Sequence, residues 1–380
     1  MKIANRGEVS PFYAMEVMKA ANKLEADGKR IFHMEVGQPA TSAPKAVLEA
    51  AAKALKDQPI GYTEALGIPP LRRAIADHYG KMYNVDLDPS RVVVTTGSST
   101  GFLLSFLSLF STGDRVALAE PGYPAYRNIL GALDIEAVGL PCGPETNFQP
   151  SPALMDQLPG QIDGLLVASP ANPTGTMLTP AELEKLIGYC AEKEISFISD
   201  EIYHGLTYEQ DAVTALQYTD DVVIINSFSK YFSMTGWRLG WMVVPEQLVP
   251  MVEKLAQSLF ISAPAVSQHA AVAAFDCEDE VRGYIDAYAK NRELLLRELP
   301  KIGLDKLAAA DGAFYIYANV SHLTDDSMAF CQKMLSECGV AATPGIDFDP
   351  HRGHEYIRLS FAGAYSEMEG AVEALRAWLK

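Results

Sequence analysis

The stretch Ser227-Phe228-Ser229-Lys230-Tyr231-Phe232-Ser233-Met234-Thr235-Gly236-Trp237-Arg238-Leu239-Gly240-Trp241 lies between two apolar runs, Val222-Val223-Ile224-Ile225 before it and Trp241-Met242-Val243-Val244 after it. Short β-branched runs of this kind read as buried strands, so one lysine stands at a strand end among hydroxyls and aromatic rings. Withdrawal from water disfavours the charged ammonium, and a neutral amine is the nucleophile that a Schiff base requires. Arg238, eight positions on, joins the Ser227 hydroxyl in offering a permanent cation and a donor to phosphate oxygens. An amine for an aldehyde and a guanidinium for a phosphate together point to pyridoxal 5'-phosphate. Taken singly, each residue also fits a plainer description, a solvated loop lysine and a strand-end arginine.

Outward from this stretch the chain becomes regular. Runs at Val92 to Thr95, Val116 to Ala119, Ile135 to Val138, Leu165 to Ala168, Ile195 to Ile198, Val222 to Ile225 and Trp241 to Val244 alternate largely with helical segments. Such alternation predicts an α/β protein with a mostly parallel, doubly wound sheet. We place this large domain at about residues 49–290. A charged helix over Asp279 to Leu299 follows, then strands (Ala313 to Tyr317, Tyr356 to Phe361) and helices (Asp325 to Cys338, Ser366 to Leu379). These predict a smaller α+β domain, residues 291–380, completed by residues 1–48 with a helix from Pro11 to Ala26 that stops at Asp27-Gly28.

The segment 227–240 resembles the lysine motif of the class I/II aminotransferases, pyridoxal-phosphate enzymes of fold type I, and the chain is similar in particular to bacterial aspartate- and aromatic-type members. The resemblance runs in order through Gly37, Tyr62, Ser98 to Thr100, Tyr123, Asn172, Asp200, Tyr203, Ser227, Lys230, Arg238 and Arg358. In open parallel sheets ligands sit at the carboxyl ends of strands, so the loops that follow the strands carry the expectation. Ser98, Ser99 and Thr100 open a helix whose free N–H groups favour an anion, although the loop also fits an ordinary capped helix start. Tyr123 suits stacking on a flat heteroaromatic ring, or simple core packing. Asn172, in a Pro-bounded loop, has an amide able to donate to a phenolate oxygen.

What the resemblance adds is a role for each residue. It implies that Asp200 keeps the pyridine nitrogen protonated, that Tyr203 joins Asn172 on the phenolate oxygen, and that Tyr62 reaches the cofactor phosphate of a neighbouring subunit in a homodimer. Arg358, whose planar fork matches a carboxylate, would hold the substrate together with Gly37 and Asn172. Without the resemblance, Arg358 reads as a strand arginine in a surface salt bridge, and Gly37 as a turn.

Composition narrows the classes. A formal charge of −17 over 380 residues opposes nonspecific binding to nucleic acid, and 48% hydrophobic residues fit a globular chain. The five cysteines are scattered without a C-x-x-C pair, which indicates neither a disulfide framework nor a zinc site, and His351 with His354 lacks a third metal ligand. Nothing reads as a signal peptide or a membrane span, so we expect a cytoplasmic protein. The apolar strand ending in Asp200-Glu201 could serve a nucleotidase, but neither a G-x-x-x-x-G-K-[ST] nor a G-x-G-x-x-G segment is present.

The expected activity is transfer of an amino group between an L-amino acid and a 2-oxo acid. Ser99 stands where aspartate-using members often carry a lysine, which favours neutral or aromatic donors and leaves aspartate possible. A C–S β-lyase or an aminocyclopropane carboxylate synthase on the same fold is the alternative within the cofactor class. A non-catalytic regulator is the alternative outside it.

Overall fold

The computed structural model describes residues 1–380. Its strands in chain order are β1 (Phe32–His33), β2 (Val92–Thr95), β3 (Arg115–Glu120), β4 (Glu136–Pro141), β5 (Gly164–Ala168), β6 (Ser196–Asp200), β7 (Val223–Ser227), β8 (Gly240–Val243), β9 (Tyr315–Asn319), β10 (Val340–Ala341), β11 (Thr343–Pro344) and β12 (Tyr356–Ser360). Seven of them form one sheet in the order β2-β8-β7-β6-β5-β3-β4. All run parallel except β8, which is antiparallel to both β2 and β7. The turn from β7 to β8 is the lysine segment itself, which contains no α-helix and reverses the chain so that the two strands pair antiparallel.

Burial explains why these runs are strands. In β7 and β8 every residue is buried, and successive residues face opposite sides of the sheet. Ile224, Trp241 and Val243 join the larger apolar core, whereas Val223, Ile225 and Met242 join a second core on the other face. A sheet covered on both faces has no polar side to display, so its strands read as continuous apolar runs.

A separate core gathers Phe314, Tyr315, Ile316, Leu359 and Phe361 with Leu294, Met334 and Leu375 from three helices, Glu278–Glu298, Ser327–Cys338 and Tyr365–Trp378. Here β11, β12 and β9 form a three-stranded antiparallel sheet. Tyr203 and Leu206 also belong to this core, so the loop after β6 joins the two sheets. Ala43, Val47 and Ala51 pack into the core of the large sheet, and the helix Glu278–Glu298 spans both cores, with Val281 in one and Tyr288 in the other.

The expected strand from Ala313 begins later, at Tyr315. Ala313 has φ 57°, and its N–H and that of Gly312 bond to Leu206 and Gly175, so the backbone turns before it can enter the ladder. The N-terminal helix likewise starts at Tyr13 instead of Pro11. Its first turn is held by Asp347, whose carboxylate oxygens accept from Tyr13 N and Ala14 N at 3.2 Å each. A carboxylate satisfies free N–H groups and complements the positive end of a helix. Asp347→Ala should therefore lower stability by about 1–2 kcal/mol in urea unfolding, with Asp347→Asn closer to wild type. Equal stability for Asp347→Ala and wild type would show that the cap contributes nothing.

Candidate active site

A cavity of about 480 Å³ opens at the carboxyl ends of the parallel strands. Ser98 and Ser99 reach it after β2, Tyr123 and Tyr126 after β3, Asn172 after β5, Asp200 and Tyr203 at the end of β6, and Ser229, Lys230 and Arg238 between β7 and β8. Tyr315 and Arg358 enter from the three-stranded sheet, Gly37 from an N-terminal loop, and Phe12, Met15 and Met18 from the start of the chain.

Lys230 is half-buried, and its Nζ donates to the Gly37 carbonyl at 2.5 Å. Desolvation, with the cations of Arg358 and Arg238, pushes its ammonium down to about 8. Asp200 is 3% exposed, and burial raises its carboxyl to about 6 against the hydrogen bond from Tyr126, a bond from Ile202 N and the charge of Lys230. Its neighbour Glu201 points to the opposite side of the sheet, as alternation along a strand requires. There Ser199, Thr214 and the Ala215 N–H surround it, and burial raises it to about 8. Burial thus favours the protonated form of Glu201, and Asp200 is the carboxyl group that lines the cavity.

Arg358 is 3% exposed and forms no salt bridge with any carboxylate. Its Nη1 donates to Asn172 Oδ1 at 2.9 Å and its Nη2 to Glu35 O at 2.5 Å, while its buried Nε has no partner. The guanidinium lies over the Tyr315 and Phe348 rings, 4.5 and 4.8 Å from their centroids. A buried cation with no directly paired carboxylate, and only the more distant charge of Asp347 acting on it, is costly unless an anion joins it. The same contact turns the carbonyl end of Asn172 toward Arg358 and leaves its amide N–H groups free to donate elsewhere.

At the other end of the cavity, Arg238 lies against Gly97, where a Cβ would overlap the guanidinium. Gly97 has φ 71° and begins the helix Gly97–Leu109, so a cation and free N–H groups converge at one point. An anion receptor, a lysine whose ammonium is weakened, a buried carboxylate in the same cavity and a second anion receptor fit a phosphorylated aromatic aldehyde.

The comparisons agree with this geometry. A family model described as aminotransferase class I and II matches residues 29–375. The chain is 48% identical over 382 residues to the valine–pyruvate aminotransferase of Mycobacterium tuberculosis, covering 100% of this chain and 98% of that one. The chain belongs to the class I and II aminotransferase family. An aspartate aminotransferase of Sulfurisphaera tokodaii is 31% identical, over 93% of this chain and 90% of its own length. The crystal structure of an aminotransferase from Mycobacterium tuberculosis superposes with a TM-score of 0.98 at 48% identity, over 100% of this chain and 99% of that one. The aminotransferase reading and the mostly parallel fold type I architecture thus hold.

Not every residue expected at the site of this aminotransferase lines its cavity. The Thr100 hydroxyl donates to Thr96 O at 3.0 Å, and the Ser227 hydroxyl is engaged by Leu239 O at 3.0 Å and Ser229 Oγ at 2.8 Å. Ser229, two residues nearer the loop, lines the cavity instead. Tyr62 is 84% exposed and lies outside the cavity of its own chain. Besides Ser229, two polar lining residues, Tyr126 and Tyr315, were not expected from the sequence. Tyr126 follows Tyr123 by three residues on the helix Pro124–Ala132, and that spacing is the signal that could have placed both on one face. Tyr315 had no local signal, because only the packing of two sheets brings it to the site.

Tyr126 donates to Asp200, which favours the ionised carboxylate, so its removal must raise the Asp200 value further. Tyr126→Phe should move the Asp200 titration up by about 1 unit, read by difference infrared spectroscopy against Asp200→Asn. A downward move would contradict the assignment of Tyr126 as the donor.

Proposed function

We propose that this aminotransferase carries pyridoxal 5'-phosphate on Lys230 and moves an amino group from a neutral or aromatic L-amino acid to a 2-oxo acid. The observation that carries the reading is the buried, carboxylate-free guanidinium of Arg358 beside an amine held near neutrality. Arg238, Ser98 and Ser99 would hold the phosphate, Asp200 the ring nitrogen, and Asn172 with Tyr203 the ring oxygen, while Tyr123 would stack on the ring. When bound, the cofactor supplies a conjugated cation that withdraws electrons from the substrate Cα.

The residues of the chain supply the rest. Arg358 binds the α-carboxylate through paired hydrogen bonds and orients the Cα–H bond. Lys230, whose amine enters the same cavity, would take the Cα proton as general base. An ammonium value lowered to about 8 brings the neutral, proton-accepting amine within reach near pH 7. Asp200, as the carboxylate, would keep the ring nitrogen protonated and so sustain the withdrawal.

Donor preference follows from what faces the side chain. Phe12, Met15, Met18, Val36 and Ile202 are apolar, and the cavity's cations, Lys230, Arg238 and Arg358, all have other roles. A side-chain carboxylate would find no further cation here, whereas valine, alanine or phenylalanine would bury apolar surface. The likeness to a valine–pyruvate aminotransferase supports this choice.

Further features support a homodimer, a two-domain division and a reducing compartment as parts of the same reading. Tyr62, Ile60, Leu48 and Leu259 are exposed apolar side chains, suited to a two-fold contact in which Tyr62 serves the neighbouring site. The proposed division is 49–290 against 1–48 with 291–380. All five cysteines are free, and no helix is long and apolar enough to cross a membrane.

Single-turnover mixing of the cofactor-loaded enzyme with a panel of amino acids tests the reading, through loss of the bound cofactor's visible absorbance. Valine, alanine and phenylalanine should react at least about 100-fold faster than aspartate, the cost of an unpaired buried carboxylate. Lys230→Ala should lose at least about three powers of ten. Aspartate as the fastest donor, or release of ammonia and pyruvate from cystathionine without the spectral change, would contradict it.

A further inference from the structure

Tyr315 opens β9, is 1% exposed, and meets the site at three points. Its Oη lies 2.7 Å from the Oη of Tyr203. Its ring face carries the Arg358 guanidinium. Its hydroxyl also stands so close to Gly37 that a Cβ there would overlap it, which gives that glycine a steric reason. The two phenols sit nearly edge to face, with centroids 5.7 Å apart and rings inclined at 78°.

The only hydrogen-bond partner of each hydroxyl among protein groups is the other. A phenol has one proton to donate, so in this pair one member donates and the other accepts. Burial holds both protonated, above the ordinary phenol value. The groups facing the pair are Lys230 and Arg358 as cations, Asp200 as carboxylate, and Tyr123. If Tyr203 commits its proton to the cofactor's ring oxygen, Tyr315 is left as the donor within the pair.

We infer that Tyr315 is a positioning residue whose O–H, donated to Tyr203, aims the Tyr203 proton at the cofactor's ring oxygen and strengthens that bond by polarising it. The inference rests on the cofactor reading above. It also gives the three-stranded sheet a double part in the site, because one side chain supports the carboxylate-binding arginine with its face and tunes the cofactor-binding tyrosine with its tip.

The test is a spectrophotometric pH titration of the cofactor-loaded enzyme. A hydrogen bond to the ring oxygen draws negative charge out of the conjugated system that shares the titrating proton, so it lowers the midpoint. Tyr203→Phe removes the bond and should raise the midpoint by about 1–2 units. Tyr315→Phe removes only a fraction of its strength and should raise it by about 0.1–0.7 unit. Phenylalanine keeps the ring under Arg358, so the substitution isolates the hydroxyl. In a Tyr203→Phe background, adding Tyr315→Phe should leave the midpoint where it is. An unmoved or lowered midpoint in Tyr315→Phe, or the same rise in both backgrounds, overturns the positioning role while the cofactor reading stands. A bound chromophore that does not titrate overturns the positioning role alone, and a wild-type enzyme that acquires no cofactor absorbance overturns both.

Discussion

Arg358 and Lys230 share one cavity, and no carboxylate pairs with the arginine. Withdrawal from water is the main cause that lowers the Lys230 ammonium to about 8, and the nearby guanidiniums of Arg358 and Arg238 add a repulsion that the lysine relieves by losing its proton. The asymmetry sets the division of labour. A permanently charged fork waits for an anion, and a reversible amine beside it is available for covalent and proton-transfer work.

The rest of the fold holds these two groups in place. Lys230 sits in the reversal between β7 and β8, where Ser227 and Ser229 are fastened to each other and the Ser227 hydroxyl also reaches the Leu239 carbonyl. Arg358 comes from β12 in the other sheet, paired across the ladder with Tyr317 and Thr343. The contact of Arg358 with Asn172, and that of Tyr315 with Tyr203, cross between the two sheets. A shift of one sheet against the other would therefore change the lysine's electrostatics and the arginine's aim together.

Much of this was legible in the sequence because chemistry and topology coincide in one short segment. The apolar runs on either side of Lys230 mark two strands, and the loops after the parallel strands bring Ser98, Tyr123, Asn172 and Asp200 to one edge in a fixed order. Long-range partnerships left no such trace. Tyr315 and Asp347 act on residues more than a hundred positions away, and the left-handed Ala313 shortened a strand that composition alone would extend. Ser227 shows the limit from the other side: a hydroxyl of the right type at the right spacing is taken up by a backbone carbonyl, and its neighbour Ser229 faces the cavity.

The most direct measurement is a crystal structure of the enzyme grown with pyridoxal 5'-phosphate. The account predicts continuous density from the cofactor's aldehyde carbon to Lys230 Nζ, with the ring nitrogen against Asp200, the phosphate between Arg238 and the start of the helix at Gly97, and Arg358 free for a carboxylate. A cofactor bound without that covalent link, with Lys230 still on the Gly37 carbonyl and Asp200 turned away from the ring, would contradict it.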